Sequence, residues 1–236
     1  MNSKPNILST APLNPDLIKR AANNGVGLDV VSFVATTPIL SIELTEEIAE
    51  MCTLPVTAVF TSANAVRAIA ATLQLYRPDW TIYCIGNATK NAVLEHFDIT
   101  AIAGYSHDAA SLAEVILAHD VYEVVFFCGD QRMDTLPDLL AEGDVTVHEI
   151  EVYKTTATPK TLSANYAAAL FFSPSAVRSF FSANPAEAVG AYFAIGATTA
   201  AEIARHTDKP IYTSPEPAKE TLAEMAIDFC TKKAES

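Results

Sequence analysis

Six hydroxyl side chains and one phenol stand where this sequence could most easily place chemistry. Ser62, Thr89, Ser173, Ser175, Thr198 and Thr199 each follow a short apolar run and open the amphipathic run after it. Read as strand and then helix, that junction sets a hydroxyl beside the free N–H groups and the positive dipole end of a helix, where carboxylates and phosphates dock. Gly86 and Gly196 occupy the same kind of junction and would let the backbone approach a ligand. Ser and Thr are also ordinary helix N-caps, so capping and anion binding stand as two readings of each hydroxyl, and neither excludes the other. Tyr153 lies in VYKTT, among β-branched neighbours. A phenol there either donates a proton to a bound molecule or packs as an aromatic side chain.

Other candidate groups lead to weaker chemistry. Asp130 and Asp134 in GDQRMD are two carboxylates without a third metal ligand. The favoured reading makes Asp130 the cap of the next helix and gives Arg132 an acidic partner. Glu46 and Glu47 read as a helix start. Cys84 and Cys128 sit inside apolar runs, as small hydrophobes do, and the four cysteines and five histidines show no metal-ligand spacing. No metal and no cofactor are expected. The chain has no GxGxxG fingerprint, no Walker-type phosphate loop and no GxSxG elbow, so dinucleotide, P-loop and α/β-hydrolase functions lose their main support.

The elements that must hold these residues alternate. TAVFTS (57–62), TIYCIG (81–86), EVVFFCG (123–129), ALFFSP (169–174) and YFAIGA (192–197) read as strands, with amphipathic helical runs between them. Strands that are apolar throughout belong to a parallel sheet covered by helices on both faces. Half of the 236 residues are hydrophobic, enough for a sizeable core. The 15 basic and 28 acidic residues give a net charge of −13, which excludes the basic footprint of a nucleic-acid or anionic-membrane binder. Any anion site must therefore be built from local dipoles and hydroxyls. No apolar run reaches the ~18 residues of a bilayer span. The start, MNSKPNILST, lacks the apolar core of a secretory signal, so a cytoplasmic location is expected.

An internal repeat organises the chain. FTSANAVRAI (60–69) matches FFSPSAVRSF (171–180), pairing Ser62 with Ser173 and Arg67 with Arg178. CIGNATKNAV (84–93) matches AIGATTAAEI (194–203), pairing Gly86 with Gly196 and Thr89 with Thr199, and SLAEVI (111–116) matches TLAEMA (221–226). All three blocks keep an offset of 110 or 111 residues, the mark of two copies of one α/β unit. The first copy continues into EVVFFCG and a further helix. The second ends at Ser236, so its missing strand is assigned to NILST (6–10), followed by a helix at PDLIKRAANNG. The expected organisation is two flavodoxin-like parallel-sheet domains, one discontinuous (1–30 and 158–236) and one inserted (42–149). Segments 31–41 and 150–157 are expected to pair as a two-stranded β connector, leaving a cleft that can hinge.

Taken in order, ILST, FTSANAV (60–66), IGNAT (85–89), FFCGDQRMDTLPDLL (126–140), VYKT (152–155), FFSPSAV (171–177) and AIGATTA (194–200) resemble the uroporphyrinogen-III synthase family over nearly the whole chain. The resemblance implies two α/β domains joined by a β-ladder. It also implies cofactor-free conversion of hydroxymethylbilane, a linear tetrapyrrole bearing eight carboxylates, into uroporphyrinogen III with inversion of ring D. By the same resemblance, Tyr153 assists departure of the terminal hydroxyl as water. Thr199, with Thr198, contacts substrate carboxylates, as do Ser62 and Thr89 in the inserted domain and Ser173 with Ser175 in the other. Two positions depart from the family pattern: Ala11-Pro12 replaces an Arg-Pro pair, and Gly190-Ala191 stands where a basic residue is common. The expected partner is this small-molecule substrate, with no nucleic acid and no membrane, bound by a monomer. The competing readings are a hinged binding protein that captures a small polyanion without chemistry, and a flavodoxin-like enzyme acting on a phosphorylated substrate.

Overall fold

A computed structural model describes residues 4–73, 76–97 and 101–234. In chain order the elements begin β1 (Asn6–Ser9), α1 (Pro15–Asn23), β2 (Gly27–Val30), β3 (Val34–Pro38), α2 (Ile42–Met51), β4 (Thr57–Phe60), α3 (Ala63–Leu73) and β5 (Thr81–Ile85). They continue α4 (Gly86–His96), β6 (Ile102–Ser106), α5 (Ala109–Leu117), β7 (Glu123–Gly129), α6 (Thr135–Glu142) and β8 (Thr146–Ala157). The remainder is β9 (Tyr166–Phe171), α7 (Pro174–Phe181), β10 (Val189–Ala194), α8 (Ala197–Ala204), β11 (Ile211–Thr213) and α9 (Lys219–Ala234). The chain divides into two compact units: a discontinuous one, Met1–Ala35 with Thr156–Ser236, and an inserted one, Thr36–Thr155.

The inserted unit holds a six-stranded sheet ordered β3-β8-β7-β4-β5-β6, parallel from β8 through β6. The discontinuous unit holds a five-stranded parallel sheet ordered β11-β10-β9-β1-β2. Alternation explains why the strands read as unbroken apolar runs. Along β7, Val124, Phe126 and Cys128 enter one core with Tyr83, Leu112 and Leu136, while Val125 and Phe127 enter the other with Phe60, Ile69 and Trp80. Along β10, Ala191 and Phe193 face one core and Tyr192 and Ala194 the other. A large apolar side chain contributes roughly 1.5–3 kcal/mol when removed from water, so neither face of such a strand can be polar.

The five apolar runs named above become β4, β5, β7, β9 and β10, and NILST becomes β1, between β9 and β2. The edge strands β2 and β6 and the short β11 carry no such run. β6 alternates half-buried and exposed residues, and β2 and β11 contain no fully buried position, so their apolar signal is thin.

The segment 30–38 is not one strand. β2 ends at Val30, Phe33 is fully buried, and β3 starts at Val34. β3 does pair with β8, and the bonds Ile39 N to Val152 O and Thr158 N to Phe33 O (both 2.9 Å) run antiparallel. The pair is the margin of the six-stranded sheet, because residues 146–153 of β8 also pair with β7. Glu46 and Glu47 lie in the middle of α2, which starts four residues earlier under the Ser41 cap, whose hydroxyl accepts the Leu44 N–H at 3.1 Å.

Candidate functional site

In each unit the parallel strands bring their carboxyl ends to one edge, and the helices that follow start there. On the inserted unit's edge, Ser62 follows β4 and its hydroxyl accepts the Asn64 N–H at 3.1 Å, capping α3. The next helix, α4, has no side-chain cap. Its first residue, Gly86, adopts φ +65°, a conformation costly for other residues, and a Cβ built there meets open space. Thr89, one turn into α4, is buried. On α5 the Asp108 carboxylate already occupies the helix start, accepting the Ser111 N–H at 2.8 Å. Those bonds hold Asp108 below the usual carboxylate range. Among α3, α4 and α5 the bare start is that of α4, and α6, which follows β7, also lacks a side-chain capping bond.

Tyr153 stands on the same edge, at the end of the β8 pairing with β7. Register slips there: Cys128 pairs with Glu151, but Gly129 pairs with Tyr153. The bulge leaves Val152 unopposed and brings the Tyr153 ring over Gly129. The loop after β7 is then tied back to β8. Asp130 N–H donates to Tyr153 O (3.2 Å), Thr155 N–H donates to Asp130 Oδ1 (2.8 Å), and Gln131 Nε2 donates to Thr155 O (3.0 Å). Burial pushes the phenol above its ordinary pKa, opposed by a hydrogen bond with the Ser62 side chain. Tyr153 is therefore protonated at neutral pH, half-buried against the Phe60 and Phe127 core, with Ser62 beside it.

This arrangement corrects the reading of Asp130. It does not cap α6; the residue at that start is Asp134, which makes no side-chain capping bond. The free N–H of Thr155 is the stronger claimant. Arg132 does take acidic partners, Asp134 and Glu149. Sequence reasoning missed Gly129, Asp130 and Gln131 as neighbours of Tyr153, because only the bulged register joins two segments more than twenty residues apart.

The discontinuous unit repeats half of the pattern. Ser173 follows β9 and caps α7, accepting the Ala176 N–H at 3.2 Å, with its hydroxyl 3.0 Å from that of Ser175. α8 starts at Gly196 without a side-chain cap. Gly196 has extended backbone, φ −172°, unlike Gly86, so the two repeated glycines share open surroundings but not conformation. Thr198 is exposed in the first turn of α8 and Thr199 is buried. The capped pair α3 and α7 and the bare pair α4 and α8 thus recur at the repeat offset. β1 ends with Ser9, and Thr10 follows it; both are buried. Their hydroxyls donate to Ala11 O (2.6 Å) and Leu170 O (2.8 Å).

The family departures at Gly190 and Ala191 have a steric reason. Ala191 is buried within β10, and a Cβ on Gly190 would lie 2.8 Å from the Ala167 carbonyl oxygen, so neither position accommodates a long basic side chain. Cys84 and Cys128 are buried and their thiols are pushed up to about 11, which leaves them packed and un-ionised at neutral pH. Among the described residues, no three His, Cys, Asp or Glu side chains gather into a metal site, and no helix is long and apolar enough to cross a membrane.

The family model described as uroporphyrinogen-III synthase HemD matches residues 16–224. The chain belongs to the uroporphyrinogen-III synthase family. Membership gives it a lyase activity in porphyrin and heme biosynthesis. Among solved structures, it is similar to a uroporphyrinogen-III synthetase from Helicobacter pylori. Identity is 17% over 95% of this chain and 99% of that one, with a TM-score of 0.66. It is also similar to a mutant uroporphyrinogen III synthase from the extremely thermophilic bacterium Thermus thermophilus. There identity is 15% over 97% of this chain and 99% of that one, with a TM-score of 0.63. At these identities the likeness is one of fold, an α/β architecture with parallel-dominated sheets.

Proposed function

We propose that this chain closes hydroxymethylbilane to uroporphyrinogen III, with Tyr153 as the residue that acts on the reacting atoms. The observation that carries the reading is the protonated phenol of Tyr153, fixed at a strand end beside Ser62, on the edge where α4 starts uncapped. The terminal carbon–oxygen bond breaks with its electron pair going to oxygen. Tyr153 supplies the proton that lets the hydroxyl leave as water, and an azafulvene-type cation remains. The cationic methylene carbon bonds the substituted α-carbon of ring D to give a spiro intermediate. The bond from that carbon to the methylene of ring C then breaks, the freed methylene bonds the other α-carbon of ring D, now inverted, and the proton lost from that carbon restores the phenol. Burial suits this role, since it keeps the proton on Tyr153 at neutral pH until the leaving oxygen takes it.

Substrate carboxylates are held by Ser62 and Thr89 in the inserted unit and by Ser173, Ser175, Thr198 and Thr199 in the discontinuous one. The bare starts of α4 and α8 offer N–H groups to the same anions. In a protein of net charge −13, local dipoles and hydroxyls replace lysines and arginines as the anion-binding chemistry. Holding a flexible linear tetrapyrrole in one fold is itself catalytic, since it excludes the uncatalysed closure to the type I isomer. In this reading the chain forms two flavodoxin-like domains, 1–30 with 158–236 and 42–149, joined by 31–41 and 150–157 as a β connector. The protein acts as a cytoplasmic monomer without a cofactor.

The test is an isomer assay. Hydroxymethylbilane is generated in situ, the protein is added, and the oxidised products are separated into uroporphyrins I and III. A shift toward type III that scales with protein concentration is expected. Type I alone, from folded protein, would refute the reading.

A further inference from the structure

We infer that Gly129 and Asp130 are positioning residues for Tyr153: the absent side chain of one and the carboxylate of the other set where the phenol stands. The inference rests on the catalytic reading of Tyr153 given above. A Cβ built on Gly129 would press on Tyr153 Cζ and lie 2.5 Å from Cε2 and 2.8 Å from Oη, distances that ordinary packing does not tolerate. The backbone does not require glycine there, because the positive-φ glycines among the described residues are Gly25 and Gly86. What excludes a side chain from position 129 is the tyrosine ring.

Asp130 fixes the backbone beneath that ring. Its N–H takes the carbonyl of Tyr153, and its Oδ1 takes the N–H of Thr155, two residues on. One residue thus holds the chain that leaves Tyr153 at two points, and the Gln131 bond to Thr155 O adds a third tie. Ser62 meets the phenol from the β4–α3 junction. The bulge supplies the register, Gly129 the space, and Asp130 the anchorage. Displacing a reacting group by about 1 Å costs up to ~100-fold in rate, so this arrangement is placed to matter.

The experiment is a rate cycle with an independent spectroscopic readout. Gly129→Ala is expected to lower the single-turnover rate about 10- to 100-fold, with KM changed by less than about twofold. Added to Tyr153→Ala, where no ring is left to displace, the same substitution should cost nothing further. An equal cost in both backgrounds would overturn the inference. Asp130→Ala should lower the rate, and Asp130→Asn, which keeps the acceptor oxygen, should recover most of it. Loss in both alike would remove Asp130 from the role. If Gly129→Ala alone fails to fold, the double variant with Tyr153→Ala should fold, and its failure would also overturn the inference.

Tyrosine labelled with carbon-13 at Cζ gives a readout that does not depend on activity. The Tyr153 resonance is assigned by its loss in Tyr153→Phe. It should shift and titrate differently in Gly129→Ala and Asp130→Ala, and an unmoved resonance would refute the positioning. If Tyr153→Phe leaves the single-turnover rate intact while the resonance still moves in Gly129→Ala, the catalytic reading fails and the positioning stands.

Discussion

The two units are built on the same strand plan. Reading β8-β7-β4-β5-β6 against β2-β1-β9-β10-β11 matches strand for strand, and a hydroxyl-capped helix and a bare helix recur at each carboxyl edge. Two of their differences bear on function. β8 carries Tyr153 as its last residue paired with β7 and runs on to Ala157, whereas its counterpart β2 stops at Val30. Inside α8, Glu202 is buried and gathers Arg178, Arg205 and His206 at 3.3–3.4 Å, where the repeat-related residue of α4 is the buried Ala92. The hydroxyls and helix starts suited to holding anions are duplicated, while the phenol belongs to one unit and the Glu202 cluster to the other. Duplication thus accounts for the binding-type features, and divergence for the feature suited to chemistry.

Core substitutions give the largest effect with which to break this comparison. Phe127 stacks between Phe60 and Trp80, with centroids 5.3 and 5.4 Å away, and Phe127→Ala should cost about 3–5 kcal/mol. Trp80 is the chain's single tryptophan, so its emission follows the inserted unit. Phe180→Ala, within the Phe33, Phe171 and Phe181 cluster, should cost as much but leave the Trp80 transition in urea where it was. A common shift of both transitions would show one cooperative fold instead of two.

Next comes rate. Tyr153→Phe should lower single-turnover conversion about 100-fold while changing unfolding by less than about 1 kcal/mol. An unchanged rate would erase the functional difference between the units.

Alkaline unfolding should then separate them. Cys84 and Cys128 of the inserted unit ionise at about 11 when folded and at 9.0 otherwise, while Tyr192 of the discontinuous unit is raised from 10.0 to about 12. In each case the folded state holds its proton to higher pH than the unfolded state does. The stabilisation is complete below the lower value and disappears as pH climbs to the higher. The inserted unit should weaken between pH 9 and 11 by roughly 3 kcal/mol for each thiol, and the discontinuous unit between pH 10 and 12 by a similar amount. Cys84→Ala should roughly halve the first decline, followed by Trp80 emission, and leave the second, followed by circular dichroism. A single common decline would contradict the assignment.

The smallest effect is the sharpest. Ser62→Ala and Ser173→Ala each remove one cap and should each cost about 1 kcal/mol. Only Ser62→Ala should also slow turnover by way of the phenol, because Ser62 is the one that touches it. Equal kinetic losses would mean that both hydroxyls act simply on substrate.

Sequence made the central strands legible because both of their faces are buried. TAVF, EVVFFCG and YFA cannot be hydrophobic on two sides and belong elsewhere. Edge strands gave little signal, since β6 alternates half-buried and exposed positions and β2 is half-buried or exposed throughout. The hydroxyls at helix starts were readable from residue type and repeat offset. Which of them cap was not, for Ser62 and Ser173 turn inward to an N–H two or three residues on while Thr198 stays exposed. The tie between Asp130 and Thr155 was invisible because it depends on a one-residue slip of register, and a slip leaves no mark in composition.

The place of β1 governs how this protein can be made. Its Ile7 and Leu8 are wholly buried, yet Thr10 finds its partner Leu170 160 residues later. At ~5–20 residues per second, that partner leaves the ribosome on the order of ten to thirty seconds after the strand that needs it. The inserted unit is complete in the meantime. β1 is thus sheltered late, and the nascent chain carries an adhesive apolar edge for as long as the inserted unit takes to be made.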